Sequence, residues 1–489
     1  GNINLDTDIT QRFRTLTKVS IGYTKNNITN GVYGQAVSAP PILPIYNDDG
    51  SYADYGAIGG VASAYMGYQN PVAVATSTNQ AKTYDFKGSI AGEYDIMKDL
   101  KFRTTLSINY TNYNQLSYIP SYVLVNSYYG AEDSEGGAGS QSQSTSTNTF
   151  WENTLTYNHD FNEIHHFDAV IGHSWENDKA NYFSASGKGY PDDRYLNNLS
   201  SASLAASVAG SNPSAETSLL SFYARMNYIL SDRYLFTFTG RSDASSKFSK
   251  DHRVGYFPSG AIAWRINKEK FLSNAKWIDE LKLRASIGKT GTQNISDFMF
   301  MTLYAPDSYA DKSALYPYQL GNDEIKWEST VQKDLGLDFS FFAGRLGGTV
   351  AYYHKVTDDA LLNVTPAPSS GFGTVVTNIA KIRNIGAELE LYAEPIRTRD
   401  FRWTLAFNIS QNKSKVMKLI NAVIYVERES QKGIIIGHQG VALKKVSTEA
   451  RKALEKFFDK YIFLEIFVKV DKDWRSSKKE LDNFGYNPE

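Results

Sequence analysis

The chain has 489 residues, enough for two or more ordinary domains, and its net charge of −1 gives no global attraction to nucleic acid. It has no cysteine, which excludes disulfides, thiol catalysis and cysteine-ligated metal sites. Aromatic residues reach 13%, mean hydropathy is negative, and there is no apolar run of the roughly 18 residues a membrane helix needs; none of this excludes spanning strands.

The start, Gly1 to Leu5, lacks a basic region followed by an apolar core, so a secretory signal is expected to have been removed or to lie upstream. Residues 2–9 and 14–26 read as a strand pair. Residues 27–81 read as a long irregular loop carrying Tyr33, Tyr46, Tyr52, Tyr55, Tyr65 and Tyr68. Strands are expected at 82–96 and 101–115, then a Gly/Ser/Gln-rich loop at 118–145. Strands 146–160 and 165–178 precede a polar segment, 179–217. From Ser218 to Ile266 the alternation is clearest. Leu220, Phe222, Ala224, Met226 and Tyr228 alternate with polar residues including Arg225, and Tyr234, Phe236 and Phe238 precede Arg241. Ile262, Trp264 and Ile266 share a face of strand 255–267. A short helical turn at 268–279, a strand at 280–290 and a long segment at 291–325 follow. Strands 326–342 and 346–358, a loop at 359–382 and strands 384–396 and 401–414 complete this part.

These strands are longer than the roughly 5–6 residues usual in soluble sandwiches. They are apolar on one side and charged on the other, and long and short connections alternate. Together these traits predict roughly fourteen antiparallel strands of an outer-membrane β-barrel, with short turns on one side of the membrane and long loops on the other. The alternative reading is a soluble all-β array.

Five runs carry a resemblance. They are Phe222 to Tyr228, Phe257-Pro258-Ser259 through Ala263-Trp264-Arg265, Leu281 to Ser286 with Gly288 to Gly291, Trp327-Glu328, and Asn384 to Leu389. Residues 1–420 resemble the SusC-type TonB-dependent outer-membrane receptors of Bacteroidetes. The resemblance implies nutrient uptake, of glycans or peptides, driven by TonB and assisted by a SusD-like surface lipoprotein. It also implies that a signal, a TonB-contacting segment and a plug precede residue 1, and that further closing strands belong to the barrel. Residues 1–420 are therefore expected to be an interior barrel fragment in outer-membrane lipid, with two unpaired edges that lipid tolerates poorly.

Near Ile420-Asn421 the pattern changes: lysine becomes dense and helical periodicity appears. Ala422 to Val426 reads as a strand and Glu427 to Lys432 as a polar helical link. Ile434-Ile435-Ile436 is expected in a core and a base-facing groove, followed by Gly437-His438-Gln439-Gly440. Leu443, Val446, Ala450, Ala453, Leu454 and Phe457 then recur at helical spacing, Ile462 to Val470 alternates as a strand, and Trp474 to Phe484 reads as a short charged helix. This order is the core of a KH domain, whose GXXG loop clamps a nucleic-acid backbone. The candidate RNA-binding residues are Gly437, His438, Gln439 and Gly440, whose backbone phosphates approach closely, with Lys444 and Lys445 for charge pairing. GXXG alone is equally a simple turn.

The runs Val426 to Arg428, Ser430 to Lys432, Ile434 to Gly437, Leu443 to Lys445, Glu449 to Arg451, Val468 to Val470, Asp473 to Arg475 and Phe484 to Tyr486 are similar to the C-terminal KH domain of the GTPase Era. That resemblance covers 422–489 and implies binding of single-stranded ribosomal RNA during ribosome assembly. Departures are His438 in place of the family's usual lysine, Ser447 in place of a glycine, and no GTPase domain or leading helix and strand. Thirteen Lys and Arg against eleven Asp and Glu leave residues 421–489 at +2, a modest footprint for RNA.

Elsewhere the bland reading stands beside the functional one. Arg225, Arg241 and Arg265 are solute contacts or a salt-bridged lumen wall; Trp264, Trp327 and Trp403 are sugar platforms or girdle and packing residues. His165 and His166 are neighbours on a strand and point to opposite faces, which argues against a joint metal site. Asp358-Asp359 reads as a solvated loop entry. Gly288-Lys289-Thr290 lacks the upstream glycine of a phosphate-binding loop, since Leu283 stands there. No paired-carboxylate or nucleophile–base set suggests an enzyme, and no cofactor motif appears. The fold expectation is mainly β: an incomplete barrel, 1–420, followed by a small α/β KH-type domain, 421–489. The functional expectation is a chimera of an outer-membrane receptor fragment and a cytoplasmic RNA-binding module. The alternative is that the KH tail is the only functional module.

Overall fold

The computed structural model describes the chain apart from residues 29–30, 56–67, 127–136, 163, 206–210, 311, 367–369, 438–439, 459–461, 473 and 477–489. Two compact units divide it, one of residues 1–156 and 172–221 and one of 157–171 and 222–489.

The first unit begins with β1 (Asn2–Asp8) and β2 (Phe13–Asn27), continues through α1 (Val32–Ser38) and α2 (Pro71–Ala75), and enters β3 (Thr78–Met97) and β4 (Leu100–Ile119). It also holds most of β5 (Ala138–Phe161) and β6 (His165–Lys188), the two-residue β7 (Leu204–Ala205), and the start of β8 (Ser211–Leu230). Register explains the alternation. Ile21, Phe86 and Tyr110 lie in one cross-strand row, as do Ile90 and Leu106, while Glu93 and Arg103 meet on the other face in a 2.9 Å ion pair. A one-residue slip would exchange the two faces, so the pattern fixes the pairing. The small apolar clusters lie in the connections between strands: Leu43, Ala53 and Tyr55 form one, and Ala73 and Val74 join Val123 of the 120–137 connection in another.

The second unit carries the end of β8, then β9 (Tyr234–Ser245), β10 (Val254–Arg265), β11 (Ile278–Thr292), the hairpin β12 (Leu303–Tyr309) and β13 (Lys312–Gln319), and β14 (Glu328–Phe341). After these come β15 (Leu346–Val364), β16 (Val375–Arg397), β17 (Arg402–Val426), α3 (Glu429–Ile436), α4 (Val441–Phe458) and β18 (Ile462–Val470). Its main-sheet order is β8-β9-β10-β11-β14-β15-β16-β17-β18, and β12–β13 form a separate sheet. Phe236, Ile262, Ala285, Leu335 and Tyr352 follow one another across β9, β10, β11, β14 and β15 through register partners. Leu389 and Ile409 share a row farther on. Many residues of this apolar face are exposed, Phe238 at 51% and Ile409 at 58%. Such a band in water would be an aggregation surface; facing lipid it is the ordinary outer wall of a spanning barrel. The opposite face is polar: Asp338 takes Lys282 at 2.9 Å and Arg284 at 3.3 Å, and Ser286 donates to Asp334 at 3.1 Å.

The connections alternate as expected except at 266–277, between β10 and β11, which is longer than the preceding connection 246–253. Short ones join β3 to β4, β8 to β9, β14 to β15 and β16 to β17; residues 28–77, 120–137, 246–253 and 293–327 are long ones. Ser231 and Asp232 both have positive φ, 52° and 58°, which gives a two-residue turn whose twist suits paired strands.

Four sequence expectations change. Strands outrun their predicted ends, because the backbone ladder continues beyond the apolar band, as in β6 to Lys188. The segment 291–325 contains the hairpin β12–β13, turned at Ala310 (φ 49°). Ala422 to Val426 is the last part of β17 and not a strand of its own, and β18 pairs with it from Lys418 to Val426. In the 474–484 stretch the described residues form only a short 3-10 turn, Trp474–Ser476.

Candidate nucleic-acid interface

β17 and β18 run parallel, from Lys418 opposite Ile462 to Val426 opposite Val470. A parallel pair requires a crossover, and α3 and α4 supply it. Val426 and Val468 are buried. They lie on one face of the pair, since Val468 is opposite Ile424 and Val470 opposite Val426. Phe467 lies on the other face, 49% exposed.

Gln431 starts α3. Its Oε1 accepts from the backbone N–H of Glu427 at 2.9 Å and of Arg428 at 3.1 Å, satisfying amides that the helix leaves without partners. α3 stops at Gly437, whose N–H donates to Gly433 O at 2.9 Å. Gly437 has φ 70°, and a Cβ there would sit 2.6 Å from the Cβ of Ala442. Gly440 has φ 79° with open space around it, and its N–H donates to Gly437 O at 3.2 Å. The two glycines therefore differ: Gly437 is required by both conformation and packing, Gly440 by conformation alone, with its backbone open to a ligand. α4 begins one residue later with no acidic side chain in its first turn, so its positive dipole end is uncompensated. Lys444 and Lys445 are exposed just beyond.

Of the predicted residues, Gly437, Gly440, Lys444 and Lys445 thus come together around one turn and one helix start, while His438 and Gln439 lie outside the described residues. The isoleucine run departs from expectation: it is the last turn of α3, with Ile435 and Ile436 half-buried and Ile434 76% exposed. The apolar stripe of α4 divides similarly. Leu443, Ala450 and Leu454 are half-buried, whereas Phe457 is 81% exposed. Ser447 Oγ donates to Leu443 O at 2.8 Å, a local bond that satisfies a hydroxyl inside the helix.

Among the strand residues, Arg241 Nε donates to Asp243 at 2.8 Å and its guanidinium lies 5.5 Å from the Tyr223 ring; Arg265 pairs with Asp232 at 3.6 Å. Arg225 Nε donates to Asn227 at 3.4 Å. Trp264 Nε1 donates to Glu269 at 3.0 Å, Trp327 packs against Phe248 and Phe257, and Trp403 is exposed. His165 bonds Tyr228 at 2.6 Å and His166 bonds Asp160 at 2.7 Å, so the two serve separate partners. Asp358 and Asp359 pair with Lys381 and Lys326. Gly288, Lys289 and Thr290 lie in the β11–β14 ladder. Tyr46, Tyr52 and Tyr122 stack in series, and Tyr65 lies outside the described residues. Among the described residues, no group of His and carboxylates has the geometry of a metal site.

A family model described as TonB dependent receptor-like, beta-barrel matches residues 11–428. The chain belongs to this family. A second model, the KH domain, matches residues 402–475 of the same TonB-dependent receptor-like chain, so the two matches share β17. The TonB-dependent receptor SusC of Bacteroides thetaiotaomicron is 31% identical over 425 residues, 80% of this chain and 40% of that receptor. The chain thus spans about two fifths of the length of the curated receptors it matches. The GTPase Era of Syntrophus aciditrophicus is 51% identical over 77 residues, 16% of this chain and 25% of Era. Among solved structures, the RagAB peptide transporter superposes with a TM-score of 0.73 at 22% identity, over 85% of this chain and 46% of that one, a likeness of fold.

Proposed function

We propose that the chain joins two binding modules of different origin. The long part derives from an outer-membrane receptor that takes up a glycan or peptide with a SusD-like surface lipoprotein and TonB. The tail is a KH module that binds single-stranded ribosomal RNA and belongs to cytoplasmic ribosome assembly. One observation carries the RNA reading: an open Gly440 backbone, an uncompensated helix start and two exposed lysines converge at one turn. Phosphate chemistry fits that combination.

The fusion reading rests on β17. The receptor-like match runs to residue 428 and the KH match begins at 402, so one strand serves both. We take residues 420 and 421 as the junction, with 1–420 and 421–489 as the domains, and the union as a joining of two reading frames. Reads that cross those codons unbroken in independent isolates support a natural fusion; reads that never cross them refute one.

The RNA reading is tested on the full chain in detergent, by fluorescence anisotropy with an unstructured single-stranded RNA. Gly440→Asp adds a negative charge beside the expected phosphates and is predicted to weaken binding at least tenfold. Equal affinity for the two proteins would sink this reading.

A further inference from the structure

β18 ends the main sheet of its unit, and among the described residues no strand pairs with its outer side. Its nine residues, Ile462 to Val470, include no proline, and its register with β17 runs without a bulge. So long and apolar an edge is a ready template for another strand, and it lacks the bulges and prolines that commonly protect edges. One bond fixes the direction of its backbone groups. Asp471 N–H donates to Val426 O at 2.9 Å, so with a period of two the groups of Phe467 and Lys469 also turn toward β17. Those of Leu464, Ile466, Val468 and Val470 therefore turn outward, along the free side. The two faces differ as well: Val468 is buried, while Phe467 and Lys469 are exposed on the opposite face.

We propose that this edge is a dimer interface, in which β18 pairs antiparallel with β18 of a second copy about a two-fold axis at Phe467. The strand's own charges select that register. With the axis at Phe467, each Glu465 stands opposite the second copy's Lys469, and symmetry makes the match twice. An axis at Ile466 sets Glu465 opposite Phe467 and Lys469 opposite Phe463. An axis at Val468 sets Lys469 opposite Phe467 and Glu465 opposite Asp471, a like-charge pair. An axis between two residues turns outward groups against inward ones and loses the hydrogen bonds. In the selected register Ile466 meets Val468 and Leu464 meets Val470, and these pairs exchange N–H···O bonds because all four residues turn outward. Phe467 meets its own copy at a position without such bonds, where facing residues lie closest. Pairing consumes the free edge of each β18, so this contact closes at two chains. It needs neither ligand uptake nor RNA.

Sedimentation velocity of the full chain in detergent, over a wide range of concentration, is expected to show a monomer–dimer equilibrium. Lys469→Glu and Glu465→Lys each set like charges opposite one another and should weaken the dimer by about tenfold. The double exchange, E465K with K469E, should restore it, which separates charge pairing from loss of fold. The chain has no cysteine, so Phe467→Cys introduces a single thiol. Across the two-fold axis the Cα atoms would lie about 4.5 Å apart, within disulfide reach, and oxidation should link two chains. Ile434→Cys, at a position 76% exposed elsewhere on the tail, should not link them. A monomer at every concentration overturns the proposal. A dimer that ignores both single charge reversals overturns it too, as does one that the double exchange fails to restore. Equal linking of the Phe467→Cys and Ile434→Cys chains overturns the register.

Discussion

The ring of Phe257 occupies the space that a side chain at Gly291 would need: a Cβ there would lie 2.1 Å from the ring. Phe257 is on β10 and Gly291 on β11, and the same ring covers Gly255 and packs on Trp327, which packs on the fully buried Phe248. An aromatic side chain replaces what two glycines lack. Gly291→Val should displace the ring and cost about 1–3 kcal/mol, as overpacking does. Urea unfolding followed by tryptophan fluorescence should show a lower midpoint, and Gly240→Val, where nothing lies within 4 Å, should not shift it comparably.

The two glycines of the KH turn should separate in function and stability. Gly437→Ala meets both a positive φ and Ala442, and should cost about 1–3 kcal/mol and loosen α4. Gly440→Ala carries only the conformational strain. Hydrogen exchange at α4 amides measures the difference, and equal protection in the two variants would refute it.

Glu269 gives a pH dependence with a defined sign. The Tyr234 hydroxyl at 2.7 Å and the Trp264 indole at 3.0 Å, joined by Arg233 at 3.3 Å, hold its carboxyl below the usual carboxylate range. The native state therefore binds this proton less readily than the unfolded chain. The stability it contributes is complete above the ordinary glutamate value of 4.5 and is lost as pH falls through the lowered native value. Acid titration of Trp264 fluorescence should move when Glu269→Gln is introduced, with the variant flatter below pH 4.5.

Asp193 fastens the 189–198 loop to the end of β4. Its Oδ1 accepts from the Tyr118 hydroxyl at 2.6 Å and the Ser121 N–H at 3.0 Å, and Oδ2 accepts from Ser121 Oγ at 2.7 Å. Tyr118 is buried, so removing the acceptor leaves its hydroxyl without a partner. Asp193→Ala should cost about 2–3 kcal/mol and expose the loop to limited proteolysis. Asp192→Ala should spare the Tyr118 hydrogen bond, because Asp192 accepts from backbone N–H groups of its own turn, those of Arg194 and Tyr195 among them.

Period-two alternation made the strands legible, because each wall residue faces either an apolar or a wet medium. Phe236, Phe238 and Ile262 identified their faces before any register was known. Strand ends were less legible. Above the apolar band both faces are polar, so Asn79 and Lys188 belong to strands without displaying alternation. The GXXG turn was legible from its glycines, but not the difference between them, which depends on Ala442 approaching Gly437 and not Gly440.

The parallel register of β17 and β18 also has a mechanical consequence. Tension applied at the start of β17 and the end of β18 loads the bonds from Lys418–Ile462 to Val426–Val470 together, in shear. Antiparallel neighbours such as β14 and β15, joined by a tight turn, open like a zipper from their free ends. A single-molecule pulling trace should therefore contain one rupture from the tail that stands above the low-force steps of the hairpins, and Lys469→Pro, two residues before the Asp471 N–H that donates to Val426 O at 2.9 Å and so on the same side of β18, should lower it.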